Sequence, residues 1–204
     1  MLLIGLTGSI GMGKSTAAAR FRANGIAVID ADAEVHKLYK GAAVVPIEAA
    51  FPGTTGPEGV DRPKLAAQLL ADPSGFKRLE AIVHPMVHAA EKALLKVEHQ
   101  RGADMAVLEI PLLFEGGGDA RVDVTVVVSA PADQQRARVL ARPGMTVEKL
   151  EQILSRQVPD AEKRRRADFV VDTGGMIAET EVQIDKIVAM LRGRDGTAYG
   201  RYWA

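Results

Sequence analysis

The sequence predicts a three-layer α/β fold, with a parallel sheet between two layers of helices, and two observations predict it. The first thirty residues consist of an apolar run at 2–7, a glycine-rich loop, an alanine-rich segment at 15–25 and a second apolar run at 26–30. This order of strand, loop, helix and strand is a βαβ unit, whose strands are parallel. The run at 122–130 is continuously apolar and rich in β-branched residues, as expected of a strand with both faces covered.

Residues 32–102 differ from this pattern, because their apolar residues recur at helical spacing and no segment has the pattern of a good strand. The helical segments are interrupted where glycine and proline accumulate, at 53–59, 72–75 and 84–85. We therefore expect a mostly helical insertion after the second strand, with a break at His84–Pro85.

The second half of the chain returns to alternating strands and helices. Apolar runs predict two more strands, at 104–110 and 167–175. The charged stretch 133–166 between the later strands predicts two helices divided at Pro143–Gly144, and residues 176–193 have the pattern of an amphipathic closing helix. We expect the tail, 194–204, to be mobile or loosely docked.

The composition restricts the classes of function. Of 204 residues, 47% are hydrophobic and 25% are charged, which suits one globular domain. Lys and Arg together number 26, as do Asp and Glu, and this balance argues against a nucleic-acid partner. The absence of cysteine excludes disulfides and thiol chemistry. With no basic leader and no apolar run near the roughly 20 residues of a membrane span, we expect a cytoplasmic protein with no membrane partner.

The segment GSIGMGKST, residues 8–16, matches the phosphate-loop (P-loop) spacing G-x-x-x-x-G-K-[ST]. In such a loop, successive backbone N–H groups face phosphate oxygens, and glycines leave the approach clear. We expect ATP to bind through Gly8, Gly11, Met12, Gly13, Lys14, Ser15 and Thr16. The alternative, a structural turn with a chance lysine, fits less well because the motif lies between a predicted strand and a predicted helix. The sequence therefore predicts a P-loop NTPase-type sheet.

Two side chains of the motif have expected roles of their own. Lys14 would reach the β- and γ-phosphates, and Ser15 would offer its hydroxyl to Mg²⁺, the expected metal cofactor. The guanine-reading motif Asn-Lys-x-Asp is impossible, because the only asparagine is Asn24 and glycine follows it. A short chain with a helical insertion and late arginines favours a small-molecule kinase.

Acidic and basic residues outside the loop suggest how phosphoryl transfer would work. Strand alternation would place Asp30 and Asp32 on one side of a strand end, with Asp32 orienting or deprotonating an acceptor hydroxyl; the alternative is a turn with a helix cap. Arg138 and Arg142 are four residues apart and would share a helix face toward phosphate, unless that helix is simply solvated.

Two further charged sites have no such defined role. Glu109 could hold a magnesium-bound water or could be an ordinary acidic residue at a strand end, and the sequence favours both equally. Residues 163–166, KRRR, predict a solvated surface.

Several segments together resemble the dephospho-coenzyme A kinase family, in the family's order and over nearly the whole chain. The segments are GLTGSIGMGKST, VIDAD, GVDRPKLA, RLEAIVHP, IPLLFE, QRARVLARPGMT, ILSRQ and ADFVVDTGG. That family transfers the γ-phosphoryl of ATP to the ribose 3′-hydroxyl of dephospho-CoA in the last step of CoA biosynthesis. The resemblance implies ATP and dephospho-CoA as partners, and we expect a monomer.

The resemblance implies one P-loop kinase domain, 1–204, with a helical CoA-binding insertion and a helical lid. Its core comprises 1–31, 103–132 and 167–193, its acceptor-binding part 32–102, its lid 133–166 and its tail 194–204. Two alternatives remain open. The chain could be another kinase of this fold, acting on a nucleoside monophosphate or another small molecule, or a non-catalytic ATP-binding regulator.

By position, the resemblance implies Asp32 as catalytic base and Arg138 and Arg142 as lid arginines that meet ATP. It assigns acceptor-side or supporting roles to Arg62, His84, Leu113 and Glu115. One departure is Thr173, because many relatives carry asparagine before the glycine of that turn. If the turn frames the adenine, details at Thr173 are the ones most affected.

Overall fold

The computed structural model describes all 204 residues, Met1–Ala204. It divides into a larger unit, Met1–Ile29 with Leu95–Ala204, and a smaller unit, Asp30–Leu94. The strands along the chain are β1 (Leu2–Thr7), β2 (Ala27–Asp30), β3 (Thr55–Gly56), β4 (Gly59–Val60), β5 (Met105–Glu109), β6 (Val124–Ser129) and β7 (Phe169–Asp172). The helices are α1 (Lys14–Ala23), α2 (Ala31–Tyr39), α3 (Val44–Ala50), α4 (Arg62–Ala71), α5 (Gly75–Gln100), α6 (Ala132–Leu140), α7 (Val147–Leu154), α8 (Asp160–Arg166) and α9 (Ile177–Leu191).

The sheet has five strands in the order β2-β5-β1-β6-β7, and the predicted α/β fold is confirmed. Strand β1 pairs in parallel with β5 and β6, with Ile4 opposite Val107 on one side and Val124 on the other. Every residue of β1, β5 and β6 is buried, as the continuous apolar runs predict. The loop after the central strand β1 therefore starts from the most rigid part of the sheet.

Helices α1 and α9 cover one face of this sheet. Phe21 of α1 and Ile184 of α9 are completely buried in the cluster that also holds Val126. The other face is covered by the end of α5 and by the C-terminal tail, through Leu95 and Trp203. Burial of a large apolar side chain contributes about 1.5–3 kcal/mol, so both helical layers hold the sheet firmly.

The smaller unit has a helical core of its own, built from Ile47, Phe51, Leu65, Leu69 and Val83. The prediction of no strand in this region is wrong, because β3 and β4 form a short antiparallel hairpin. The predicted break at His84–Pro85 is also wrong, since α5 continues through the proline. A proline in a helix costs about 3 kcal/mol, and the burial along this long amphipathic helix offsets that cost.

Two expectations for the later part of the chain are corrected. The stretch 133–166 contains three helices rather than two, because a second break at 155–159 separates α7 from α8. The tail is not loosely docked: Trp203 is buried and its Nε1 donates to the carbonyl of Arg121 at 2.9 Å. Asp123 Oδ1 accepts from the backbone N–H of Thr197 at 2.7 Å. None of the helices combines the length and the hydropathy that a membrane span requires.

Candidate active site

The phosphate loop joins the central strand β1 to α1 and leaves several backbone donors free. Gly13 caps α1 in the left-handed conformation, with φ 81°, and no side chain bonds to the first turn. The N–H groups of Gly13, Lys14 and Ser15 have no hydrogen-bond partner within the protein. Free N–H groups at the positive end of a helix favour an anion, and the first turn of α1 contains no acidic residue that would compete.

Two glycines of the loop are required by neighbouring protein atoms as well as by clearance for phosphate. A Cβ at Gly8 would lie 2.4 Å from Cγ2 of Val128, on strand β6. At Gly11 it would lie 2.5 Å from Cγ2 of Val139, and φ is 76°. The loop is thus packed against β6 and α6 so closely that only glycine fits.

Two glutamines hold the loop at Ile10. Gln157 Oε1 accepts from the N–H of Ile10 at 3.2 Å, and Gln135 Nε2 donates to its carbonyl at 2.8 Å. Both the N–H and the carbonyl of Ile10 are therefore fixed by side chains from the stretch 133–166. The sequence analysis assigns no role to either glutamine; the only signals are the segments QRARVLARPGMT, which begins with Gln135, and ILSRQ, which ends with Gln157.

Met12 and Thr173 connect the loop to the end of the sheet. The buried Met12 sulfur accepts from the N–H of Ala130 at 3.1 Å, and the Met12 carbonyl accepts from Thr173 Oγ1 at 2.8 Å. Arg138 Nη2 donates to the Thr173 carbonyl at 2.7 Å. Thr173 therefore bonds directly to the loop, and its carbonyl places Arg138 beside the same turn.

Lys14 is bound to Glu109, at the end of β5. Its Nζ lies 2.8 Å from Glu109 Oε1, and Arg22 lies 3.6 Å from Oε2. Glu109 is buried, so the two cations offset most of the desolvation of its charge. A ligand phosphate would have to draw Lys14 away from this carboxylate. Of the remaining loop residues, Ser15 is exposed on the first turn of α1 and Thr16 is half-buried beside it.

Asp30 and Asp32 do not alternate along a strand, because β2 ends at Asp30 and α2 begins at Ala31. Asp30 is the helix cap: its Oδ1 accepts from the N–H of Asp32 at 2.9 Å and of Ala33 at 3.2 Å. The cap alternative therefore applies to Asp30 alone. The Asp32 side chain, on the first turn of α2, is exposed and makes no hydrogen bond or ion pair, so it is available for chemistry.

Arg138 and Arg142 do not share a helix face, since α6 ends at Leu140 and Arg142 lies in the turn that follows. Both side chains are exposed. The Arg138 side chain is oriented by its hydrogen bond to the Thr173 carbonyl. The Arg142 side chain makes no hydrogen bond or ion pair. One arginine is thus already placed beside the phosphate loop, and the other is unattached.

The predicted acceptor-side residues have different environments. Leu113 is completely buried and lies within 2.8 Å of where a Cβ on Gly5 would be, so in this structure it supports packing. In the smaller unit, the Arg62 guanidinium stacks over the Tyr39 ring at 5.3 Å and lies 3.4 Å from His36 Nδ1. His84 is exposed in the middle of α5.

Glu115 and Lys163 form a buried ion pair that the sequence did not suggest. Lys163 Nζ lies 2.8 Å from Glu115 Oε1, and the lysine side chain is fully buried. The prediction that residues 163–166 form a solvated surface is therefore wrong for Lys163. The pattern could not reveal this, because the partner is 48 positions away in the chain.

Comparison with known proteins gives a consistent result. The family model described as dephospho-CoA kinase matches residues 2–179. A dephospho-CoA kinase of Mesorhizobium japonicum is 55% identical over 197 residues, which cover 97% of this chain and 100% of the relative. A dephospho-CoA kinase of Rhizobium etli is 58% identical over 194 residues, 95% of this chain and 96% of the relative.

Solved structures share the fold of this chain. A crystal structure of a Thermus thermophilus protein has a TM-score of 0.80 at 37% identity and covers 94% of this chain and 98% of its own. A shikimate kinase from Acinetobacter baumannii, in complex with shikimate, has a TM-score of 0.52 at 17% identity over 95% of this chain and 96% of its own, and shares the fold alone. The predicted resemblance is confirmed, and the chain belongs to the dephospho-CoA kinase family.

Proposed function

We propose that this chain transfers the γ-phosphoryl group of ATP to the ribose 3′-hydroxyl of dephospho-CoA and so forms coenzyme A, the final step of CoA biosynthesis. The observation that carries the proposal is the family match over residues 2–179, which includes the complete phosphate loop. The free N–H groups of Gly13, Lys14 and Ser15 support the ATP half of the reaction. Positioning and charge neutralisation supply most of the catalysis in such transfers.

The phosphate loop would bind the triphosphate, and Lys14 would leave Glu109 to contact the β- and γ-phosphates. Arg138 and Arg142, in the stretch 133–166 that we propose as a lid, would offset the charge of the moving phosphoryl group. Arg138 already lies at the Thr173 turn, so only Arg142 would need to move far. Closure would also exclude water, which would otherwise compete as phosphoryl acceptor.

Ser15 is the residue that fits Mg²⁺, since its exposed hydroxyl lies on the first turn after the loop. In kinase sites Mg²⁺ takes many of its ligands from substrate phosphates and water, so few protein ligands are needed. Bound there, Mg²⁺ would neutralise phosphate charge.

Asp32 would take the proton of the acceptor hydroxyl as it attacks the γ-phosphorus, or orient that hydroxyl. The exposure of its carboxylate supports this role, because Asp30 already caps α2 and Asp32 is unengaged. The helical part 32–102 would bind dephospho-CoA, with Arg62 and His84 as candidate contacts. The Tyr39 ring supports the Arg62 guanidinium, which leaves its polar edge for an anionic group.

The test is a coupled assay of ADP formation, with and without magnesium, using dephospho-CoA as acceptor. AMP, CMP and shikimate serve as competing acceptors. We expect turnover with dephospho-CoA only, and only with magnesium. Turnover on one of the other acceptors would indicate another kinase of this fold, and ATP binding without any transfer would indicate a regulator. Either result would contradict the proposal.

The role of Asp32 is tested separately with Asp32→Asn. We expect kcat to fall by a factor of about 10²–10⁴, the usual contribution of an acid–base group, with an unchanged melting temperature. Near-normal turnover would reject Asp32 as base. The monomeric state stays a prediction, and light scattering coupled to gel filtration measures it directly.

A further inference from the structure

The ion pair between the partly buried Glu115 and the fully buried Lys163 is connected to the phosphate loop through a short run of contacts. Glu115 Oε1 receives both the Lys163 ammonium and the N–H of Val158, each at 2.8 Å. The carboxylate therefore holds both ends of the segment 158–163. Lys163 contacts Glu115 as an ion pair without hydrogen-bond geometry, because its Nζ has no well-aligned acceptor.

The residue immediately before this segment contacts the phosphate loop. Gln157 Oε1 accepts from the N–H of Ile10 at 3.2 Å, in the middle of the loop. Since Val158 is fixed by Glu115, the backbone that carries Gln157 is fixed with it. A chain of direct contacts thus runs from Lys163 through Glu115 and Val158 to Gln157 and Ile10.

The same carboxylate is poorly placed to contact an acceptor. Its Oε1 is engaged twice, and its Oε2 is buried without a hydrogen-bond partner. Asp160 anchors the start of α8 independently, because its Oδ2 accepts from Ser129 Oγ at 2.7 Å. The surroundings of Glu115 are therefore those of a supporting group inside the protein.

We propose that Glu115 and Lys163 are positioning residues that hold Gln157 against Ile10, and that this contact sets the affinity of the phosphate loop for ATP. The inference rests on the ATP-binding half of the proposed function and is independent of the acceptor. Without the pair, segment 158–163 loses its charged anchor, and the Ile10 peptide can turn away from the conformation that the Gln157 bond maintains.

The test is a double-mutant cycle on ATP affinity, measured by calorimetry without acceptor and well below the melting temperature. Gln157→Ala removes one hydrogen bond to the loop, and we expect the Kd for ATP to rise by roughly five- to tenfold. Lys163→Met should raise Kd similarly, and the combined variant should be no weaker than Gln157→Ala alone, because both act through one contact.

Arg166→Met is the matched control, since Arg166 also lies on α8 but pairs with Asp119. We expect its ATP Kd to stay within about twofold of wild type, as for a partly exposed pair. If Lys163→Met does not fold, Glu115→Gln combined with Lys163→Met replaces it in the cycle, because removing both charges leaves none unpaired.

The proposal is overturned if the fold-increases in the ATP Kd caused by Lys163→Met and by Gln157→Ala multiply in the combined variant. It is equally overturned if Lys163→Met alters the KM for dephospho-CoA while the ATP Kd is unchanged, or if the wild type does not bind ATP. A wild type that binds ATP but fails to phosphorylate dephospho-CoA would contradict the proposed function and leave the cycle interpretable. The two failures are thus distinguishable.

Discussion

The phosphate loop, 8–15, and the segment 155–166 lie in contact, yet their structures have different origins. In the loop, Gly11 and Gly13 have positive φ, a backbone conformation that glycine adopts readily, so the motif itself supplies much of what the conformation requires. Residues 155–166 depend on Glu115, far away in the chain, which holds Val158 and the buried Lys163. The loop thus depends mainly on its glycines, and the segment mainly on long-range side-chain contacts. Four experiments probe the loop, this segment and the helix that follows the loop, from the largest expected effect to the smallest.

Breaking the charge pair should have the largest effect on stability. Lys163→Met leaves the Glu115 carboxylate buried without a counter-charge, which should lower the free energy of unfolding by about 3–5 kcal/mol. Arg165→Met, on the same helix, removes an exposed pair with Glu162 and should change the free energy of unfolding far less, because water screens that pair. Urea unfolding of both variants measures the contrast, and equal losses would refute a special role for Lys163.

Removing the loop cation should slow the chemistry strongly, and it should also lower stability because the buried Glu109 then keeps only Arg22 as a counter-charge. Lys14→Ala takes away the charge that we propose meets the transferring phosphate, and we expect kcat to fall by a factor of about 10²–10³. Lys186→Ala removes an exposed lysine from α9 and should leave kcat unchanged. A steady-state assay beside a thermal melt separates the two quantities. A normal kcat for Lys14→Ala would rule out its proposed role.

A methyl group inside the loop should test the backbone requirement. Gly11→Ala combines a left-handed backbone with a clash against Val139, and we expect a loss of about 2–4 kcal/mol of stability. Gly193→Ala has nearly the same φ, 75°, but open space around it, so its loss should be about 1–2 kcal/mol. If the two melting temperatures coincide, crowding by Val139 is not what requires glycine at this position.

The smallest effect concerns the helix after the loop, α1, which is tied to α9 by Arg20 and Asp185. The hydrogen bond from Arg20, and then that from Asn24, lowers the pKa of Asp185 to about 2. Because the folded pKa lies below the ordinary value of 3.8, this contribution is complete above that value and is lost as the pH falls toward 2. Urea unfolding of wild type and Asp185→Asn should give a difference that shrinks from about pH 5 to about pH 3. A constant difference would contradict the assignment.

Much of the fold and part of the site could be predicted from the sequence, namely where the local sequence alone determines the structure. Buried parallel strands appear as continuous apolar runs, so β1 and β6 were located within a few residues. The phosphate loop was found because its glycines and lysine must be adjacent in the chain. The motif Asp30-Ala31-Asp32 predicts a role for Asp32 through strand alternation. In the structure Asp32 is available for a different reason, because Asp30 caps α2 and Asp32 lies exposed on the first turn of that helix.

The rest depends on contacts between distant residues, which a single sequence does not reveal. Pro85 marks a helix break by local rules, and only the burial along α5 overrides it. Lys163 has the appearance of a surface residue among arginines until Glu115 is placed beside it. Gln157 and Gln135 lie in segments that resemble the family, but only the structure shows that both side chains bond the backbone of Ile10.

The docked tail has a practical consequence for any modified form of this enzyme. Trp203 is buried in the cluster with Leu3 and Ala106, and Gly196 lies so near Leu2 that a Cβ on it would be 2.6 Å from the Leu2 Cα. A variant shortened to the end of α9 would therefore expose Leu3 and Ala106 to water.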